Sequence, residues 1–145
     1  MARITEVAQG VFQISVMNVA VTLVLDGDRV VLLDAGLRTT PAHVLAFLDA
    51  RGLRPQQVSH ILVSHYHPDH IGGLRRLREL TGCSGIVPEF SNVACADRIV
   101  RDSETIELGD IRITALATPG HTDSHMAYRV NDDRVLTGDA LFIRG

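Results

Sequence analysis

Six consecutive residues at positions 65–70 carry most of the groups in this chain that could do chemistry, in the order His-Tyr-His-Pro-Asp-His. They follow an apolar run at 61–63, which places them at the end of a predicted strand and on the first turn of a helix. Side chains two residues apart at a strand end can point into one cavity, and those on the next helical turn return to it. Imidazole and carboxylate are ligands of zinc and of non-haem iron. The spacing therefore predicts a metal site with four candidate ligands: His65, His67, Asp69 and His70.

Three further loops place ligand-type residues directly after apolar segments. Asp34 follows the run that ends at Leu33, His121 follows a run that ends at Ala117, and Asp139 follows a Thr-Gly pair. Glycines beside these residues allow the backbone to turn tightly. Because strand ends in mixed α/β folds are where ligands bind, we expect the four loops to converge on a single metal cluster.

The apolar pattern predicts the elements that position these loops. Strands are expected at 11–17, 19–25, 29–33, 58–63 and 84–87, and hairpins pair 104–108 with 111–117 and 125–130 with 134–137. A helix is predicted to run to Gly52 from Thr40 as N-cap, with Pro41 at the first helical position. A second helix is expected at 70–80, where Arg75, Arg76 and Arg78 form a solvated face, and 88–101 is expected to be partly helical. Helices between strands indicate an α/β fold.

Composition limits the classes of function. The chain has 145 residues, 46% of them apolar, which suits one domain spanning 1–145. A net charge of −3 provides no basic surface for nucleic acid, and no apolar run is long enough to cross a membrane. The two cysteines, Cys83 and Cys95, form no disulfide framework and are expected to be reduced. We therefore expect a cytoplasmic protein that acts on a small molecule.

The motifs occur in an order that resembles the metallo-β-lactamase fold superfamily. They are Leu-Leu-Asp-Ala-Gly at 32–36, HxHxDH at 65–70, Pro-Gly-His-Thr at 119–122 and Thr-Gly-Asp at 137–139. The resemblance extends over nearly the whole chain. It implies an αββα sandwich whose metal site lies at one edge, between two sheets.

The resemblance also implies a role for each candidate residue. The first metal position would take His65, His67 and His121, and the second would take Asp69 and His70, with Asp139 bridging both. Asp34 would support the ligands without binding metal. Asp69 is also the expected catalytic residue, since its carboxylate could orient a hydroxide and carry its proton.

The chain departs from the family pattern in two places. It ends at Gly145 with no later histidine for the second metal, which predicts a sandwich truncated at its C-terminus, with an exposed sheet face that favours instability or self-association. The third motif reads Gly-His-Thr-Asp-Ser-His at 120–125, without the Pro and Gly found in many hydrolases. His125 is either a replacement ligand or, as we expect, a residue of strand packing or surface.

Three functions fit these observations. The first is a hydrolase that uses one or two zinc ions on an ester, thioester or similar bond, with a glyoxalase-II-like thioesterase as the specific form. The second is a persulfide dioxygenase, which the tail at 137–145 resembles; one iron would be held by a facial triad of His65, His121 and Asp139. The third is a truncated metal-binding domain without catalytic activity.

Overall fold

Seven strands form the larger of two sheets in the computed structural model, which describes residues 1–141. Their spatial order follows the chain; β1 to β4 are antiparallel, and β4 to β7 are parallel. The strands are β1 (Arg3–Ala8), β2 (Val11–Val16), β3 (Val19–Asp26), β4 (Arg29–Leu33), β5 (Val58–Leu62), β6 (Ser84–Pro88) and β7 (Arg98–Val100).

Helices connect β4 to β5 and β5 to β6, and they cover one face of this sheet. Helix α1 (Thr40–Ala50) and a 3₁₀ turn (Pro55–Gln57) join β4 to β5, while α2 (Pro68–Ile71) and α3 (Leu74–Thr81) join β5 to β6. Parallel pairing requires such crossovers. Val44, Phe47 and Leu48 of α1 pack with Leu74 and Leu77 of α3 in a core against the sheet.

The second sheet has four antiparallel strands in the order β11-β10-β9-β8. They are β8 (Thr105–Leu108), β9 (Ile111–Ala117), β10 (Met126–Val130) and β11 (Arg134–Leu136), and a 3₁₀ turn (Gly138–Ala140) follows. Alternate residues such as Ile113 and Tyr128 pack against Leu62 and Ile86 of the first sheet. The predicted α/β sandwich is confirmed as helices, sheet and sheet; no helix covers the outer face of the second sheet within residues 1–141.

The termini of these elements explain how three of the four predicted loops reach one place. Strands β4 and β5 are parallel neighbours, so their carboxyl ends meet at the same sheet edge. The backbone N–H of Asp34 donates to Leu62 O at 2.8 Å, and the N–H of Met126 donates to Ser64 O at 2.8 Å. These bonds attach the loops after β4 and β5 to the start of β10 in the second sheet.

Several sequence predictions are wrong in detail. Strand β1 was not predicted, because its sequence carries no regular alternation of apolar and polar residues; in the structure its six residues are all exposed. Residues 89–97 form no helix, and β7 occupies Arg98–Val100 within the segment predicted as partly helical. The helix expected at 70–80 begins earlier, at Pro68, and is interrupted at Gly72 and Gly73.

Two capping and surface assignments also change. Thr39 takes the N-cap position of α1, and Thr40 is its first helical residue, whose Oγ1 accepts the Leu37 N–H at 3.0 Å. Arg78 does not lie on a freely solvated face, because its guanidinium binds the carboxylate of Asp97. Within the described residues, no helix is long and apolar enough to span a membrane.

Candidate metal centre

Asp34 directly follows β4 and supports the site through hydrogen bonds to its buried carboxylate. The residue is 2% exposed, and its backbone has a φ of +64°, a left-handed conformation that Asp adopts more readily than most residues. Its carboxylate accepts hydrogen bonds from Ser64 N at 2.8 Å and Ser64 Oγ at 2.7 Å, and contacts His70 Nδ1 at 2.8 Å. One carboxylate therefore organises the residue that precedes His65 and the ring of His70.

These contacts determine which ring nitrogens face the site. The single hydroxyl proton of Ser64 is donated to Asp34, so the contact of 2.9 Å between Ser64 Oγ and His65 Nδ1 requires an Nδ1–H donor. The contact of His70 Nδ1 with the Asp34 carboxylate likewise requires an Nδ1–H. In the neutral form of each ring the lone pair is therefore on Nε2, the form in which imidazole binds metals.

The two rings differ in their proton affinity. Burial lowers the pKa of His65 to about 4, and the nearby His70 adds to this effect. Burial also acts to lower the pKa of His70, but its hydrogen bond to Asp34 and the charges of Asp34 and Asp139 outweigh burial and raise it to about 8. The buried His65 ring is therefore neutral at physiological pH and available as a ligand.

A first group of potential ligands consists of His65, His67 and His121. One nitrogen from each lies within 4.8 Å of the others. His121 Nε2 is 3.1 Å from His67 Nδ1, and the ring of His65 is 4.7 Å from that of His67 and 4.8 Å from that of His121. His65 is buried and His121 is exposed, so this group lies between the sandwich interior and its rim.

A second group consists of His65, His70 and Asp139. Asp139 Oδ2 lies 3.0 Å from His70 Nε2, 3.4 Å from His65 Nε2 and 3.2 Å from His121 Nε2. Its carboxylate therefore reaches members of both groups, and His65 belongs to both.

Asp69 is more peripheral than the other residues expected at the site. Its Oδ2 is 3.6 Å from His70 Nε2, its side chain is 46% exposed, and it belongs to neither group. A cavity of about 720 Å³ opens beside Asp69, His70 and Asp139, with apolar walls such as Leu33 and Leu136. Asp69 thus faces the space where a small molecule could approach.

His125 was expected to be strand packing or surface, and the structure gives it more specific contacts. It lies just before β10 and is 1% exposed. Its Nδ1 is 2.8 Å from Thr118 Oγ1, and its Nε2 accepts the backbone N–H of Asp139 at 3.2 Å. Neither Ser64 nor His125 was identified from the sequence as a supporting residue; a histidine four residues after His121 was the only available signal.

The donor set suits a metal ion. His65 Nε2 is fully buried and makes no hydrogen bond within residues 1–141, although burial of an unpartnered polar atom is costly. Three imidazole nitrogens and a carboxylate oxygen surround the same space, and these are the ligand types of zinc and of non-haem iron. A cation there would satisfy the orphaned nitrogen.

Similarity to characterised proteins agrees with this geometry. A hydroxyacylglutathione hydrolase from Methylococcus capsulatus is 39% identical over 105 residues, which are 70% of this chain and 40% of that protein. One from Rhodopseudomonas palustris is 37% identical over 107 residues, or 72% of this chain and 41% of that protein. The chain therefore spans about two fifths of the length of these relatives.

Solved structures share the fold. A HARLDQ-motif mutant of a metallo-beta-lactamase from Cronobacter sakazakii has a TM-score of 0.82 at 22% identity, covering 92% of this chain and 62% of the other. A class B3 di-zinc metallo-beta-lactamase from an Alaskan soil metagenome has a TM-score of 0.79 at 21% identity, covering 92% and 60%. The family model described as the metallo-beta-lactamase superfamily matches residues 14–145. Since that match covers most of the sequence, the chain belongs to the metallo-beta-lactamase superfamily.

Proposed function

We propose that this protein is a metal-dependent hydrolase that cleaves a thioester or a related ester of a small molecule. Membership of the superfamily implies a divalent metal, and the relatives named above are hydroxyacylglutathione hydrolases. The observation that carries the proposal is the convergence of Asp139 Oδ2 with the Nε2 atoms of His65, His70 and His121, all within 3.4 Å.

The residues divide into ligands and supports. We assign the first metal position to His65, His67 and His121, and the second to Asp69 and His70, with Asp139 bridging and Asp34 supporting. Zinc, as one or two ions, is the metal we propose, because it takes imidazole and carboxylate ligands and has no redox chemistry of its own. The wider exposure of Asp69 makes the second position the more open of the two.

When bound, the metal makes hydroxide available from water at neutral pH and polarises the acyl oxygen of the substrate. The proton transfers are carried out by residues of the protein. The Asp69 carboxylate accepts a hydrogen bond from the attacking water and carries its proton to the leaving thiolate as the acyl carbon–sulfur bond breaks and the carbon–oxygen bond forms. Asp34 keeps His70 oriented through Nδ1, and Ser64 does the same for His65.

The cavity beside Asp69 is the proposed place for the substrate. Its walls include apolar Val11, Val19 and Leu33, with the polar side chains of Gln13 and Thr22 among them. Such a surface suits a small acyl compound, and we propose no nucleic-acid or membrane partner. A cytoplasmic location and self-association stay predictions from the sequence.

The test measures metal content and thioester hydrolysis on the same preparation, expressed with both zinc and iron available. We expect one or two zinc ions per chain and hydrolysis of a hydroxyacylglutathione thioester. Asp69→Asn should keep the metal of the first position but lose more than about 100-fold in rate, since general acid–base catalysis contributes roughly 10²–10⁴-fold. Zinc-loaded protein that hydrolyses neither thioesters nor simple esters would contradict the proposal.

A persulfide dioxygenase is the second candidate, because His65, His121 and Asp139 form a compact two-histidine, one-carboxylate arrangement. Part of the tail that resembles such enzymes, residues 142–145, lies outside the described residues. One iron per chain with oxygen uptake on a persulfide would favour this function. Protein that folds but retains no metal would favour the third prediction, a non-catalytic domain.

A further inference from the structure

We infer that His125 is a positioning residue that holds the loop of Asp139 over the metal site without itself binding metal. The inference rests on the proposed function for its consequence, since Asp139 matters most if it bridges a metal centre. It is carried by the backbone contact between Asp139 and His125 and by the packing around that contact.

The hydrogen bonds of His125 leave neither ring nitrogen free for a metal. The backbone N–H of Asp139 is a donor, so His125 Nε2, at 3.2 Å, must supply a lone pair. His125 Nδ1 therefore carries the proton and donates to Thr118 Oγ1 at 2.8 Å. A metal ligand would need the same Nε2 lone pair, so the contact excludes His125 as the missing ligand while the loop stays in place.

Thr118 connects His125 to the loop that carries His121. The backbone N–H of Thr118 donates to His125 O at 3.0 Å, and this hydrogen bond joins the two ends of the loop 119–124. The side-chain contact between Thr118 and His125 adds a second bond between the same ends. One buried ring is thus fixed to the His121 loop and to the Asp139 loop.

Gly138 shows how closely the Asp139 loop lies on this support. It has a φ of +52°, and a Cβ there would lie 2.8 Å from Ser64 Cβ and 3.1 Å from His125 Nε2. Any side chain at 138 would push the loop away from the ring. The glycine therefore permits the approach that makes the hydrogen bond from Asp139 possible.

The first test uses the unsubstituted, metal-free chain. Nitrogen chemical shifts of the ring should report the Nδ1–H tautomer for His125, and the Asp139 amide should exchange slowly with solvent. An Nε2–H tautomer, or an Asp139 amide that exchanges as fast as an exposed one, would overturn the inference. This measurement needs neither metal nor substrate, so its failure is distinct from failure of the proposed hydrolase.

The second test uses metal affinity, measured by competition with a chelator. Loss of a supporting group typically costs about 10–100-fold in metal affinity, so we expect a loss of that size for His125→Leu. His125→Gln, whose side-chain oxygen can replace the Nε2 acceptor, should recover part of it. Thr118→Val should show a smaller loss, because it removes only the partner of Nδ1.

Tyr128→Phe is the matched control. Tyr128 is buried in β10, and its hydroxyl donates to Val63 O at 2.7 Å, whereas the Asp139 N–H donates to His125. The control should lose some stability but keep its metal affinity. Equal losses of affinity in His125→Leu, His125→Gln and Tyr128→Phe would assign His125 a purely structural role and overturn the inference; if His125→Leu does not fold, the comparison of Thr118→Val with Tyr128→Phe decides in the same way.

Discussion

Two carboxylates, Asp34 and Asp97, each join distant segments of the larger sheet, and their hydrogen-bond networks end differently. Asp34 accepts from Ser64 and His70, and each branch ends at an imidazole Nε2 that faces the candidate metal centre. Asp97 accepts from Gly85 N at 2.7 Å and from the Arg78 guanidinium, whose Nη1 also donates to Cys95 O at 2.6 Å.

The difference separates a network that ends at candidate metal ligands from one whose groups satisfy one another. The Asp97 network is closed, because it terminates in donors and acceptors that satisfy one another near the surface, where the Asp97 side chain is 38% exposed. The Asp34 network is almost fully buried and leaves His65 Nε2 without a hydrogen bond within residues 1–141. An unsatisfied lone pair in a buried network costs free energy that a bound cation would offset, which is why we place the metal at that end.

Removing His65, at whose unsatisfied Nε2 the Asp34 network ends, should cause the largest loss of metal affinity. His65→Ala deletes the residue shared by both ligand groups. Loss of a supporting residue already costs about 10–100-fold in metal affinity, so loss of this shared ligand should exceed about 100-fold and abolish hydrolysis. Chelator competition and metal analysis measure this. His43→Ala, in α1 and outside both groups, is the control; metal content unchanged in His65→Ala would refute the shared-ligand assignment.

Removing the negative charge of Asp34 should reduce metal affinity less than the loss of His65. Asp34→Asn keeps a residue that tolerates a φ of +64° but replaces a carboxylate oxygen by a donor facing either Ser64 or His70. We expect metal affinity to fall about 10–100-fold and unfolding free energy to fall by about 1–3 kcal/mol, the cost of an unsatisfied buried group. Calorimetry with and without metal separates the two effects. Full metal affinity with lowered stability would make Asp34 a structural residue like Asp97.

The histidine pair predicts how the stability of metal-free protein depends on pH. His70 has a folded-state pKa of about 8 against 6.5 in the unfolded chain, so its contribution is present below pH 6.5 and is lost as pH rises through about 8. His65 has a folded-state pKa of about 4, so the unfolded chain binds its proton first and stability falls as pH drops below 6.5. Together the two residues predict maximum stability near pH 6.5, with a loss of about 2 kcal/mol as the pH rises from there to above 8.

Urea unfolding from pH 5 to 9 in the presence of a chelator measures this profile. In Asp34→Asn the alkaline loss should shrink, because His70 no longer has its buried carboxylate partner. An alkaline limb that is the same in both proteins would show that another group causes it.

The candidate ligands and one supporting residue, Asp34, were predictable from sequence, whereas two other supporting residues were not. His65, His67 and His70 are recognised by residue type and spacing, and Asp139 by its place after a Thr-Gly pair. Ser64 and His125 act through hydrogen bonds to residues distant in the chain, Asp34 and the Asp139 backbone, and no local pattern encodes such partners.

The fold shows the same division. Strands with strong apolar periodicity, such as β3 to β5, were predicted within a few residues, because burial on a sheet dictates the pattern. Strand β1 is exposed and pairs with β2, and the end of segment 89–97 is bound through Cys95 O and Asp97 to Arg78 and Gly85. Contacts between residues distant in the chain determine the structure of these segments, whereas the sequence pattern contains only local preferences.

Disrupting the Asp97 network should have the smallest effect on stability and none on metal affinity. Asp97→Asn keeps an acceptor for the Gly85 N–H but removes the charge that binds Arg78. Because this ion pair is partly exposed, the loss of unfolding free energy should be below about 1 kcal/mol, and added salt should reduce it further. Metal affinity and hydrolysis should equal those of the unsubstituted chain. If Asp97→Asn weakened metal binding as much as Asp34→Asn, coupling through the sheet would outweigh the local contacts of Asp34. The distinction between the Asp34 and Asp97 networks would then fail.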